Sequence, residues 1–256
     1  MKTSGCVAVV LLGCCAIASA DLIDDFESYE LGAWPAPNWV AHGNAITEPA
    51  KNIVAPDPAG GANQVLKLYG FTGGNWEAVA SHAQSFPDEF LFEALIYNGA
   101  ENIVGTDGSC GIRGIVAMSV MTDTGEKKAR ELVLFRGDGE IGVYRGPIWT
   151  PENWIRIGTS TYATERWYDV AIHYTRKDAS NQVLLEYWLD GAYLGNLTSM
   201  MWPAVEDSFA HLDLSAGRGT VCYDDVRLDV LPPPGAAVLA GIGLGTAGWR
   251  LRRRTR

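Results

Sequence analysis

The chain is 256 residues long, has a formal net charge of −10, and is 47% hydrophobic and 20% charged, with nine tryptophans and five cysteines. Its 30 acidic residues all lie between positions 21 and 230, whereas six of its 20 Lys and Arg lie outside, leaving that body 14 bases and a net charge of −16. Such a surface excludes nucleic acid and anionic lipid as natural partners and leaves carboxylates free for divalent cations.

In chain order, the first element is an export signal. Lys2 supplies a positive start, residues 6–18 form an apolar run, and Ala18-Ser19-Ala20 gives the small-x-small pattern that a signal peptidase accepts. The reading is a signal peptide over 1–20, with the mature chain starting at Asp21. Leu11-Leu12-Gly13-Cys14 offers a rival, lipoprotein-type cut that would leave a lipidated Cys14.

The body, 21–230, has the size of one large β domain. Runs rich in β-branched and aromatic residues, separated by Gly, Pro, Asn and Asp, predict strands at 22–27, 64–69, 77–82, 90–97, 112–121, 131–136, 140–145, 154–159, 167–175, 183–189, 192–197, 210–215 and 220–230. No stretch there keeps an apolar helical period over a dozen residues. Asp190-Gly191 between two such runs predicts a tight type I′ hairpin, and Gly137-Asp138-Gly139 a three-residue one. Tyr168, Val170, Ile172 and Tyr174 share one face of their strand, and Asp169, Ala171 and His173 the other. This many strands in about 210 residues implies two packed sheets, an all-β antiparallel sandwich.

Trp167-Tyr168-Asp169-Val170-Ala171-Ile172 followed by Leu185-Glu186-Tyr187-Trp188-Leu189-Asp190-Gly191 is similar to the core of concanavalin A-like, laminin G-like jelly rolls. Asp25-Phe26-Glu27-Ser28-Tyr29 and Tyr223-Asp224-Asp225-Val226-Arg227-Leu228 also look like the ends of exported bacterial domains of that kind. The resemblance implies a two-sheet jelly roll, in a superfamily that holds lectins, glucanases and adhesion modules alike.

Three constellations in the body could carry chemistry. Asp24 and Asp224 interrupt apolar parities on the opening and closing strands, and a buried carboxylate must be protonated, paired or metal-bound. If those strands adjoin, Asp24, Asp25, Glu27, Asp224 and Asp225 could hold a structural calcium; the alternative is solvated acids, one paired with Arg227. Trp34, Trp39, Trp76, Trp149 and Trp202 lie near loop-forming residues, and Trp188 points away from the apolar parity of its strand together with Glu186. These indoles are candidates for stacking on sugar rings, or else core residues. Cys110 and Cys222 remain after cleavage and could form a disulfide in an oxidising compartment or stay as thiols.

Catalytic signals are weak. Laminarinase-like relatives carry Glu-x-Asp-x-x-Glu on one strand, and no such run occurs. His42, His82, His173 and His211 lack metal-ligand spacing, and there is no Gly-x-Ser-x-Gly or phosphate loop. Asn196-Leu197-Thr198 fits a glycosylation sequon, which matters only in a eukaryotic secretory host.

The last element is residues 231–256. Pro232, Pro233 and Pro234 break the chain, residues 235–249 are apolar and uncharged, and Arg250, Arg252, Arg253, Arg254 and Arg256 form a basic stop. A helix over 235–249 reaches about 22 Å, enough for a short membrane anchor if its flanks and snorkelling arginines help, with the arginines inside and the domain outside. This layout resembles PEP-CTERM sorting segments, although Pro232-Pro233-Pro234-Gly235 stands where Pro-Glu-Pro is usual. The resemblance implies processing by an exosortase-like enzyme in a bacterium that makes exopolysaccharide. The whole therefore reads as an exported, non-enzymatic envelope or matrix protein binding polysaccharide. A glycoside hydrolase or lyase and a structural surface protein without a small ligand stand as alternatives.

Overall fold

Alternation fixes which side of each strand is buried. In the computed structural model, Tyr168, Val170, Ile172 and Tyr174 all point into a shared core, while Asp169 and His173 stay half-buried on the other face. The structure describes residues 21–70, 77–101, 111–121, 127–144, 154–158, 161–176, 182–199 and 210–231. The strands among them are β1 (Asp21–Asp24), β2 (Val40–Gly43), β3 (Ile53–Pro56), β4 (Gln64–Gly70), β5 (Ala78–Ala83), β6 (Glu89–Asn98), β7 (Ile112–Met121) and β8 (Lys127–Arg136). They continue with β9 (Ile141–Tyr144), β10 (Trp154–Arg156), β11 (Trp167–Arg176), β12 (Val183–Leu189), β13 (Ala192–Ser199), β14 (Ala210–Ala216) and β15 (Gly219–Val230). One helical turn, α1 (Asn44–Thr47), and a short 3-10 turn at Pro49–Lys51 complete the set.

The strands form two antiparallel sheets. One has the order β13-β12-β11-β6-β15-β4-β3, with β1 also on β15; the other has the order β10-β9-β8-β7-β14-β5-β2. Neighbours distant in sequence, such as β6 with β15 and β7 with β14, are the crossovers of a jelly roll. The core between the sheets is aromatic on one side, with Phe90, Phe92, Tyr174, Tyr187 and Tyr223, and largely aliphatic on the other, with Val116, Met118, Leu212 and Leu214. Fully burying one such side chain contributes about 1.5–3 kcal/mol. The Tyr223 hydroxyl crosses the core from the first sheet, donating to the Ser215 carbonyl at 2.6 Å and accepting from the Ile115 N–H at 3.0 Å on the second.

β15 is the longest strand and serves both ends of the chain. Its first half pairs with β4 (Tyr223 opposite Leu66) and its second half with β1 (Val226 opposite Asp24). The opening and closing strands are therefore adjacent, which meets the condition set for their carboxylates. The face assignment on β15 differs from expectation. Asp225 has φ of 48°, and the register with β6 slips between Asp224 and Arg227. This bulge puts Tyr223 and Val226 both inward, so Cys222 and Asp224 lie on the outer face while Val226 and Leu228 lie on the inner one. The strands β2 and β3, which the sequence did not predict, are four-residue edge strands.

Candidate functional site

Asp190 and Gly191 have φ of 51° and 75°, the pair of positive values that a type I′ turn requires. The turn sets Leu189 opposite Ala192 and Trp188 opposite Tyr193. Because Val183, Leu185, Tyr187 and Leu189 are buried inward, Leu184, Glu186 and Trp188 face out. The rings of Trp188 and Tyr193 meet at 5.4 Å and 61°, and Tyr193 is 52% exposed. Asn196, opposite Glu186, donates to the Tyr193 hydroxyl at 2.8 Å. The hairpin thus presents an aromatic pair followed by a polar pair, on the strand at the edge of the eight-stranded sheet.

Behind it, His173 on β11 lies 6.2 Å ring to ring from Trp188. Its Nδ1 is 3.0 Å from Glu186 and its Nε2 is 3.1 Å from Glu89. A neutral imidazole donates to one of these carboxylates and an imidazolium to both. Further across the same face, Ala171, Glu93, Arg227 and Leu22 follow Trp188 in a transverse row. The Glu93 side chain makes no hydrogen bond among the described residues. Its carboxyl is pushed up to about 7, first by burial and then by Asp169 and Asp229, with Arg227 opposing. Burial also raises Asp229.

The outer face of the other sheet differs. Ile115, Ala117, Leu132 and Leu134 form a buried apolar cluster with Trp154 against it. Beside them Ser81, Ser119, Asp213 and Ser215 are also buried. Ser81 donates to Asp213 at 2.6 Å, and the Ser119 hydroxyl has no hydrogen-bond partner among the described residues.

The five expected calcium ligands do not converge. Asp24 faces inward and accepts from the Phe26 N–H at 2.8 Å, the Tyr29 hydroxyl at 2.7 Å and Trp39 Nε1 at 2.8 Å, so protein donors take the place proposed for a cation. The Tyr29 phenol is pushed up to about 12, by burial first and then by that bond. Glu27 accepts from the Gln64 N–H, Asp25 from the Glu27 N–H, and Asp224 from the Asp225 N–H on the far side of the bulge. Asp225 lies 3.4 Å from Arg227. Among the described residues no group of three or more His, Cys, Asp or Glu is arranged to hold a metal ion.

Of the tryptophans, Trp39 is 1% exposed in the core, and Trp34 packs on the core and donates to the Trp39 carbonyl. Trp39 is thereby corrected from a stacking to a packing residue, while Trp34 is half-buried. Trp188 faces out as expected, while Trp76, Trp149 and Trp202 lie outside the described residues. Cys222 is a free thiol, buried among Val65, Tyr97 and Trp167 and pushed up to about 12 by burial, so at this end the buried-thiol alternative holds rather than the disulfide. Cys110, the signal over 1–20, Pro232, Pro233, Pro234, the apolar run 235–249 and Arg250, Arg252, Arg253 and Arg254 lie outside the described residues. No described helix is long and apolar enough to cross a membrane.

Sequence reasoning missed Tyr193, although a two-residue turn at Asp190-Gly191 makes it the partner of Trp188. It also missed Glu93, whose significance depends on pairing with β11 and β15 rather than on anything local.

No family model and no curated protein matches the sequence. Solved structures do. A carbohydrate esterase from the Shiga toxin-encoding bacteriophage phi24B is 14% identical, with a TM-score of 0.53 over 84% of this chain and 100% of that one. The Emp47p carbohydrate recognition domain is 10% identical, with a TM-score of 0.51 over 81% and 93%. The exoplasmic/lumenal domain of VIP36 in a Ca2+/Man2-bound form is 12% identical, with a TM-score of 0.51 over 86% and 90%. At these identities the likeness establishes the jelly-roll fold.

Proposed function

We propose that this chain is an exported cell-envelope or matrix protein that binds polysaccharide without transforming it, through the outer face of the β12–β13 hairpin. The observation that carries the reading is the Trp188–Tyr193 pair, half open to solvent and flanked by Glu186 and Asn196. Aromatic rings receive the C–H face of a pyranose, and neighbouring polar groups take its hydroxyls. Support of a coarser kind comes from the fold, which this chain shares with a carbohydrate recognition domain. Export rests on the sequence: a signal peptidase would release Asp21, and an exosortase-like enzyme would process the arginine-capped tail, which anchors the chain in the membrane at least transiently. Asp24 has no calcium role in this reading, because its carboxylate already holds three protein donors.

A second reading, hydrolase or lyase, draws on Glu93. A carboxyl pushed up to about 7 beside the carboxylate of Asp169 has the environment of a proton donor. The test is affinity electrophoresis of the full chain through gels containing polysaccharide, with product analysis of the same polymers. Retardation that is lost in Trp188→Ala and Tyr193→Ala, with no new reducing ends or unsaturated products, supports the binding module. Turnover abolished by Glu93→Gln supports the enzyme instead.

A further inference from the structure

We infer that the Trp188–Tyr193 platform takes uncharged pyranose polymers and rejects polyuronates and sulfated polymers. The inference rests on the binding reading above and adds the class of ligand. Stacking on the aromatic pair accepts any pyranose with an apolar face, so selection must come from the groups around the rings.

Those groups are overwhelmingly acceptors. Glu186 adjoins Trp188 on its strand, and Glu89 and Asp169 occupy the same outer face across β6 and β11. An ionised carboxylate only accepts hydrogen bonds. A sugar hydroxyl can donate to it, whereas a uronate or sulfate brings a further acceptor and a like charge.

Among the described residues, the basic groups nearby already face acceptors. His173 has a carboxylate against each ring nitrogen. Arg227 is held at 3.4 Å by Asp225 and lies opposite Glu93 in the sheet. Arg166, beside the hairpin tip, is bonded to Asp190 at 2.5 Å with its guanidinium over the Tyr168 ring. A neutral donor next to the platform is the Asn196 amide, which gives one N–H to the Tyr193 hydroxyl and has a second suited to a sugar hydroxyl or ring oxygen. The body's net charge of −16 adds long-range repulsion of polyanions.

The test uses the full chain in affinity gels, in chelator, with a neutral glucan, a neutral mannan and a neutral galactan against alginate and polygalacturonate. The expected result is retardation by at least one neutral polymer that is nearly independent of salt, with apparent affinity for the polyuronates weaker by a factor on the order of ten. Glu186→Gln removes one of the repelling charges and should narrow the gap between neutral polymers and polyuronates. Glu186→Lys should bring in polyuronate retardation that fades with salt. Preferential retardation of wild type by a polyuronate, lost in Trp188→Ala, overturns the ligand class while leaving the platform as the binding site. Retardation unchanged by Trp188→Ala and Tyr193→Ala, or none with any polymer, overturns the binding reading itself and this inference with it.

Discussion

The hydroxyl of Tyr223 lies 2.6 Å from the carbonyl oxygen of Ser215, so a side chain of one sheet is hydrogen-bonded to the backbone of the other through the middle of the core. The same oxygen accepts from the Ile115 N–H at 3.0 Å. Tyr223→Phe keeps the ring but leaves these backbone groups without that partner in an apolar interior. A buried group so orphaned costs about 1–3 kcal/mol. The variant should unfold at lower urea concentration with an unchanged slope, lowering the melting temperature by about 2–4 °C per kcal/mol. A change below the error of the measurement would mean that the hydroxyl does not tie the sheets together.

Asp24 makes a second such anchor near the N-terminal end of the domain. Its carboxylate collects the Phe26 N–H, the Tyr29 hydroxyl and the Trp39 indole. Asp24→Ala should lower stability by about 3 kcal/mol, and Asp24→Asn by less, because one acceptor oxygen remains. Whatever response wild type shows to calcium or chelator should be the same in Asp24→Asn and Asp224→Asn, since neither carboxylate belongs to a cation cage. A calcium-dependent rise in melting temperature that either variant abolishes would restore the metal.

Much of this fold was legible in the sequence because it depends on local chemistry. The β11 alternation, the Asp190-Gly191 turn and most strand positions follow from side-chain period and turn residues. β2 and β3 were not legible. Val40-Ala41-His42-Gly43 and Ile53-Val54-Ala55-Pro56 are too short to display a period, and they exist because β5 and β4 offer open edges. The expected convergence of Asp24 and Asp224 fails for a similar reason. Counting parity through β15 assumes an unbroken strand, and a bulge at Asp225 shifts every later residue by one face. At the hairpin site Trp188 and Glu186 were readable from parity alone. Glu93 was not, since its environment is made by β11 and β15, strands far from it in sequence.

The Glu93 carboxyl predicts a pH dependence of definite sign. Its folded value of about 7 stands above the model-compound value of 4.5, so between those two pH values the native state holds more protons than the unfolded chain. Stability therefore falls as pH rises through this window and levels off above it. The shift corresponds to about 3 kcal/mol, and the raised carboxyl of Asp229 adds in the same direction. Glu93→Gln cannot ionise. It should be more stable than wild type at pH 8 and show a flatter profile between pH 5 and 8 in urea titrations. An unchanged profile would mean that Glu93 is solvated.

The last prediction concerns the turn that builds the platform. Gly191 has φ of 75°, where a Cβ is disfavoured by about 1–2 kcal/mol, so Gly191→Ala should destabilise by that amount without moving Tyr193. Asp190 has φ of 51° and accepts from the Asp169 N–H at 3.1 Å, which clips the hairpin tip onto β11. Asp190→Asn preserves both the backbone preference and that acceptor and loses only an exposed ion pair with Arg166, so its effect should stay below about 1 kcal/mol. Inserting one glycine between Ala192 and Tyr193 tests the geometry itself. The two-residue turn fixes Ala192 opposite Leu189 and Leu197 on β13 packs into the core, so the extra residue must be absorbed between them. A one-residue slip there turns Tyr193 away from Trp188, because side chains alternate faces along a strand. The insertion variant should keep a cooperative thermal transition yet lose retention on any polysaccharide that retards wild type, whereas Gly191→Ala keeps it. Equal retention by all three proteins would mean that the Trp188–Tyr193 register is not what the ligand reads.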